Sequence, residues 1–169
     1  MKKLLTYTLL LLMIISCKTK NNDSIIQGEI FIKLIDVRNI VSNIPDNKLE
    51  EVKKSIANAD QTNLTESEIK SSNYFKILLE KDLIKKPFFK LKISSGNIIN
   101  VYTTKTEYSK LQKVLENFDK YKEKIKVKFK GIKISDGIFD SDGIFDQPIY
   151  LADEIISIEK TDGKTDWKK

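Results

Sequence analysis

The chain is 169 residues long, with 30 Lys and Arg against 24 Asp and Glu, no His and one Cys. Without His there is no Ser-His-Asp or Cys-His nucleophile system, no imidazole base and no His-bound zinc or haem. Without a second Cys there is no internal disulfide and no thiolate cluster, and a net charge of +6 is modest for a dedicated nucleic-acid binder.

Lys2 and Lys3 precede a mostly apolar run from Leu4 to Ile15, the layout of a signal peptide. The run falls short of the roughly 20 residues that span a bilayer. It ends in Ile14-Ile15-Ser16-Cys17, which resembles the lipobox of bacterial lipoproteins: an aliphatic residue, a variable one, a small one, then Cys. The resemblance implies cleavage before Cys17, a diacylglyceryl group on its thiol and an acyl chain on the new amine, with no other cofactor. It also places the protein on the cell envelope, and Lys18 after the Cys, where Asp would retain it in the inner membrane, implies the outer membrane. Each buried CH₂ contributes about 0.8 kcal/mol and one chain anchors only marginally, so two or three chains hold a protein stably. The polar residues that follow have no period and read as a tether. The expected organisation is a signal peptide 1–16, a tether 17–26, a single domain 27–159 and a frayed tail 160–169 that includes Trp167.

Gly28 to Val37 is dense in β-branched residues and reads as a strand with Ile30, Ile32 and Leu34 on one face. A helical insertion is expected over 45–86. Asn47 with Glu50 suggests one capping box, and Thr65 with Glu68 a better one, with Leu64 and Ile69 placed as a hydrophobic staple. Pro87 sets the latest end of the second helix. Phe88 to Ile93 and Ile98 to Thr103 alternate around Ser94-Ser95-Gly96-Asn97 and predict a hairpin. Tyr108, Leu111, Leu115 and Phe118 make a helical stripe over 105–120. Lys124 to Ile134 alternates most cleanly, with Ile125, Val127 and Phe129 on one face and Lys126, Lys128 and Lys130 on the other. A last strand is expected over Ile149 to Ile158.

Between those last two strands Ser-Asp-Gly-Ile-Phe-Asp occurs twice in tandem, at 135–140 and 141–146. Asp136, Asp140, Asp142 and Asp146 are candidate calcium ligands, because calcium loops use closely spaced oxygens around a Gly turn. The EF-hand order is absent, so a loop lengthened by duplication is the preferred reading, and no metal is assigned.

Five strands with a helix between the third and fourth is the order of an OB-fold, a small Greek-key barrel. Lys120 to Gly131 and Ala152 to Glu159 resemble the fourth and closing strands of exported bacterial OB-fold domains, and that resemblance implies that the helix before strand four plugs the barrel. The fold class is therefore α+β, mainly β, an OB-like five-stranded Greek-key barrel with a helical insertion after strand one. An open-sheet α+β sandwich is the alternative.

OB-folds bind ligands on the face of strands two and three. The outward positions there are Phe88, Lys90, Lys92, Asn100 and Tyr102, a cationic and partly aromatic set suited to an anionic glycan, lipid headgroup or peptide. A solvated exterior that discourages edge-to-edge pairing competes with that reading. Arg38 is the only arginine, and surfaces that grip phosphate or carboxylate favour Arg for its bidentate fork. Export and the scarcity of aromatics argue against nucleic acid. Carboxylate catalysis needs two converging acids; Asp136, Asp142 and Glu154 are candidates, but no spacing singles out a pair, so no catalytic residue is assigned. The expected function is a membrane-anchored, non-catalytic binding or accessory module, with an envelope protein or anionic glycan as partner. A structural subunit of an envelope complex, docking through its insertion helices, and a carboxylate hydrolase are the alternatives.

Overall fold

A computed structural model describes residues 23–33, 44–58, 62–137 and 147–168. The elements in chain order are β1 (Ser24–Ile30), β2 (Ile32–Lys33), α1 (Asp46–Ala57), α2 (Glu66–Glu80), β3 (Phe88–Ile93), β4 (Ile98–Tyr102), α3 (Lys105–Leu115), β5 (Glu123–Ser135), β6 (Ile149–Asp162) and β7 (Trp167–Lys168). Five strands close in the order β1-β3-β4-β6-β5, with β5 returning to β1. All neighbours are antiparallel except β4 and β6. Counting only the barrel strands, this is the 1-2-3-5-4 order of an OB-like fold, and both helices of the insertion lie between the first two of them. The open-sheet alternative is set aside, because β1 pairs on both of its edges.

The interior follows from alternation. Ile125, Val127 and Phe129 of β5 are fully buried, facing Leu91 of β3, Ile99 and Val101 of β4, and Ile155 of β6. α3 covers the barrel: Thr104 caps its N-terminus by accepting from the Glu107 N–H, and Leu111 is buried in the core. The Glu107 carboxylate also accepts from the Ile155 N–H at 2.7 Å. The β5–β6 register shifts between Lys128 and Phe129, Lys130 and Gly131, and Lys133 and Ser135. Such bulges bend and twist a ladder, and a five-stranded sheet must bend strongly to close.

A second core lies outside the barrel, where α2 packs through Tyr74 and Leu78 against Tyr102 and Ile149. The Thr65–Glu68 capping box of α2 forms as its residues predict. The helix ends at Glu80, ahead of Pro87, because Asp82 takes a positive φ of 51° and returns Leu83 and Ile84 to the core.

Four expectations are corrected. Residues 24–26, assigned to the tether, open β1, and Ser24 pairs with Gly131. Strand one does not continue evenly to Val37: it breaks at Phe31, Ile32 joins a separate two-stranded sheet, and Leu34 lies outside the described residues. α1 starts two residues earlier than the Asn47–Glu50 box implies, with Pro45 rather than Asn47 as N-cap and no side-chain cap bond. The C-terminal segment is held rather than frayed. β6 runs on to Asp162, the buried Thr165 donates through Oγ1 to the Glu123 carbonyl at 2.6 Å, and β7 pairs in parallel with β2.

Two glycines test the barrel geometry. A methyl group at Gly131 would stand 2.1 Å from the Leu151 carbonyl oxygen and 2.9 Å from the Ala152 Cα, both backbone atoms of the ladder. Gly96, in the hairpin turn, has φ +86° and open space around it. Gly96→Ala is expected to cost about 1–2 kcal/mol from handedness alone. Gly131→Ala is expected to cost more, about 3 kcal/mol, because the neighbours cannot yield. Denaturant titration of both variants measures the ranking, and a reversed order would contradict the close β5–β6 approach.

Candidate functional site

The five residues expected on an open ligand face divide into two groups. Phe88 and Tyr102 are directly opposite in the β3–β4 ladder and stack with ring centroids 5.4 Å apart. Lys90 faces Asn100, and its ammonium donates to Asn100 Oδ1 at 2.8 Å and to Gln147 Oε1 at 2.5 Å. Tyr102, Lys90 and Asn100 are buried, Lys90 to 4 % exposure, and Phe88 is half-buried. α2 closes over this face, where the Tyr74 hydroxyl lies 3.1 Å from that of Tyr102. The expected cationic exterior is thus the floor of the second core. The physical reason is the insertion itself: its large apolar side chains need cover, and the adjacent barrel face supplies it. Among the described residues, Ser72 Oγ and Asn100 Nδ2 are buried without a hydrogen-bond partner.

Lys92 stands apart. Its side chain is 43 % exposed, and it donates to Asp166 at 2.5 Å. There it borders an open groove of roughly 560 Å³ formed by β1, the β3–β4 turn, the start of β5 and Asp166. Glu29, Lys124 and Lys126 also line it. Glu29 and Lys124 pair across β1 and β5 at 3.0 Å. Lys126 has no ion-pair partner among the described residues. The groove exists because β1 pairs with β3 only over Gly28 to Ile30 but with β5 from Ser24 to Glu29. Beyond Gly28 the β3–β4 turn therefore leaves β1.

The other sequence candidates do not converge. Asp136 is exposed and pairs with Lys133, Glu154 is exposed, and Asp140, Asp142 and Asp146 lie outside the described residues. Cys17 also lies outside them. Among the described residues, no three His, Cys, Asp or Glu side chains are grouped to hold a metal ion, and no helix is long and apolar enough to cross a membrane. Sequence reasoning found Lys92 but missed Glu29, Lys126 and Asp166 as groove residues. The available signal was Gly28, since a glycine inside a strand marks a close backbone approach: a Cβ there would meet the Lys92 carbonyl oxygen at 2.8 Å.

No family model, curated protein or solved structure matches this chain.

The Lys92–Asp166 pair sets a pH dependence. The hydrogen bond from Lys92 holds the Asp166 carboxyl below its ordinary value of 3.8, and the same bond raises Lys92 above 10.5. Asp166 therefore contributes in full above pH 3.8 and loses its contribution as pH falls through the lowered value; Lys92 contributes in full below pH 10.5 and loses it as pH rises through the raised one. Exposed pairs contribute little to global stability, so the effect is local. Asp166→Asn at neutral pH is expected to speed amide exchange at Thr165 and Ile32 while leaving Tm unchanged. Unchanged exchange at both amides would contradict a latching role for the pair.

Proposed function

We propose that the chain is a lipid-anchored envelope lipoprotein whose OB-like barrel is a binding or accessory module with no catalysis of its own. The observation that carries the anchor is Ile14-Ile15-Ser16-Cys17 behind Lys2, Lys3 and an apolar run of signal-peptide size. β1 begins at Ser24, so only a short tether separates the acylated Cys17 from the barrel. Lys18 supports the outer membrane as its destination.

The absence of His from the sequence favours binding over catalysis, and among the described residues Asp136 is engaged by Lys133. The large apolar side chains that stand exposed among the described residues are Ile25, Tyr121 and Ile156, none of them on α1 or α2. That favours the binding reading over a subunit that docks through its insertion helices.

Metabolic labelling with a fatty acid tests the anchor. The wild-type chain is expected to incorporate label and to be shortened at its N-terminus. Cys17→Ala should lose the label completely and accumulate as the uncleaved precursor. Label retained in Cys17→Ala would overturn the lipoprotein reading.

A further inference from the structure

We propose that the groove over β1 binds a hydroxylated carboxylate, a sugar acid either free or within an acidic polysaccharide, and that Lys126 meets its negative charge. This deepens the reading of the barrel as a binding module and rests on it, but it is independent of the lipid anchor.

The volume of roughly 560 Å³ lies within the range of about 300–1,000 Å³ typical of small-molecule sites. Its charges are already arranged. Three ammonium groups and two carboxylates line the groove, and two of the ammonium groups are engaged: Lys92 by Asp166 and Lys124 by Glu29. Lys126, without an ion-pair partner among the described residues, is the amine left to meet a ligand anion.

The engaged carboxylates define the rest of the ligand. Glu29 receives its lysine on Oε2 and Asp166 on Oδ2, and each carboxylate keeps a second oxygen that can accept hydrogen bonds. A hydroxyl can donate to such an oxygen, whereas a second anion would be repelled by it. The neutral side chains of Gln27 and Ser94 add further polar partners, and Ile93 is the aliphatic side chain in the lining. A ligand with one negative charge and several hydroxyls fits this set; an apolar ligand and a compact multivalent anion do not. Lys suits the task better here than Arg would, because a single point of charge amid acceptor oxygens calls for no bidentate fork.

Full-length protein in detergent micelles, titrated with gluconate, a galacturonic acid trimer, maltotriose and inorganic phosphate at constant ionic strength, tests the proposal. Calorimetry reads affinity, and amide shifts at Gln27, Gly28 and Ser94 read location. The galacturonate trimer, gluconate or both are expected to bind and to move those amides, with maltotriose and phosphate silent. Binding of the trimer alone would identify a polysaccharide segment as the ligand, and equal binding of gluconate a free sugar acid. Lys126→Met should weaken binding at least about tenfold and Lys126→Arg should restore most of it. Lys128→Met, two residues along the same strand and outside the groove, should leave affinity within about twofold. Equal weakening by Lys126→Met and Lys128→Met would overturn the proposal, as would phosphate or maltotriose binding as tightly as the acids. Sugar-acid binding that leaves the groove amides unmoved would overturn the site while keeping the module reading. Failure of every probe would overturn the sugar-acid proposal and leave the lipid-labelling result to stand by itself.

Discussion

Closure of the barrel depends on β1 pairing along both edges. Gly28 faces Ile93 on one side and Val127 on the other, and Glu29 faces Lys92 and Lys126 in the same way. Without that double pairing the sheet would keep two open edges, each a row of unsatisfied backbone groups. The strand can serve both neighbours because Gly28 has no Cβ to strike the Lys92 carbonyl. Closure then buries Leu91, Ile99, Val101, Val127 and Phe129 in one interior, and α3 covers it with Leu111. The divergence of β1 from the β3–β4 turn, which opens the groove, follows from the same short overlap.

The insertion after β1 changes what the barrel offers to partners. In a bare OB-fold the face of the second and third strands is the natural platform. In this chain that face carries Phe88 and Tyr102 packed with α2, and Lys90 and Asn100 buried beside Gln147. Burying an ammonium group is costly unless it is hydrogen-bonded, and Asn100 and Gln147 supply acceptors for Lys90. The hydrogen bonds that the Lys90 ammonium would have offered to a ligand on an exterior face are thus made within the protein. What remains open lies at the C-terminal end of β3, where Lys92 meets the C-terminal segment through Asp166.

Much of the fold was legible in the residues. β5 alternates so cleanly that its buried and solvent-facing sets follow from period two alone, and the Thr65–Glu68 box marks the start of α2. The β3–β4 turn was equally plain, since Gly96 is where the chain needs a positive φ. Other features depend on partners distant in sequence. Ser24 to Ile26 look like the end of a polar linker until β5 pairs with them. Residues 160–168 look like a tail until Thr165 meets Glu123 and β7 meets β2. β6 hides its inward face, because bulges place Ile149, Ala152 and Ile155 inward at spacings no strict alternation predicts. The site was the least legible part. Glu29, Lys92, Lys126 and Asp166 come from four segments and share no motif, and no local pattern reveals that α2 packs with Phe88 and Tyr102 while Lys92 stays partly exposed.

The central claim is that the insertion occupies the barrel's platform face and leaves the solvent-facing lysines of β5 open. Timed reductive methylation of the full chain, read residue by residue by mass spectrometry, tests it most directly. The account predicts that Lys126 and Lys128 are modified early, whereas Lys90 stays unmodified until the protein unfolds globally. Modification of Lys90 at the rate of Lys128 would contradict it, because the platform would then be open to solvent.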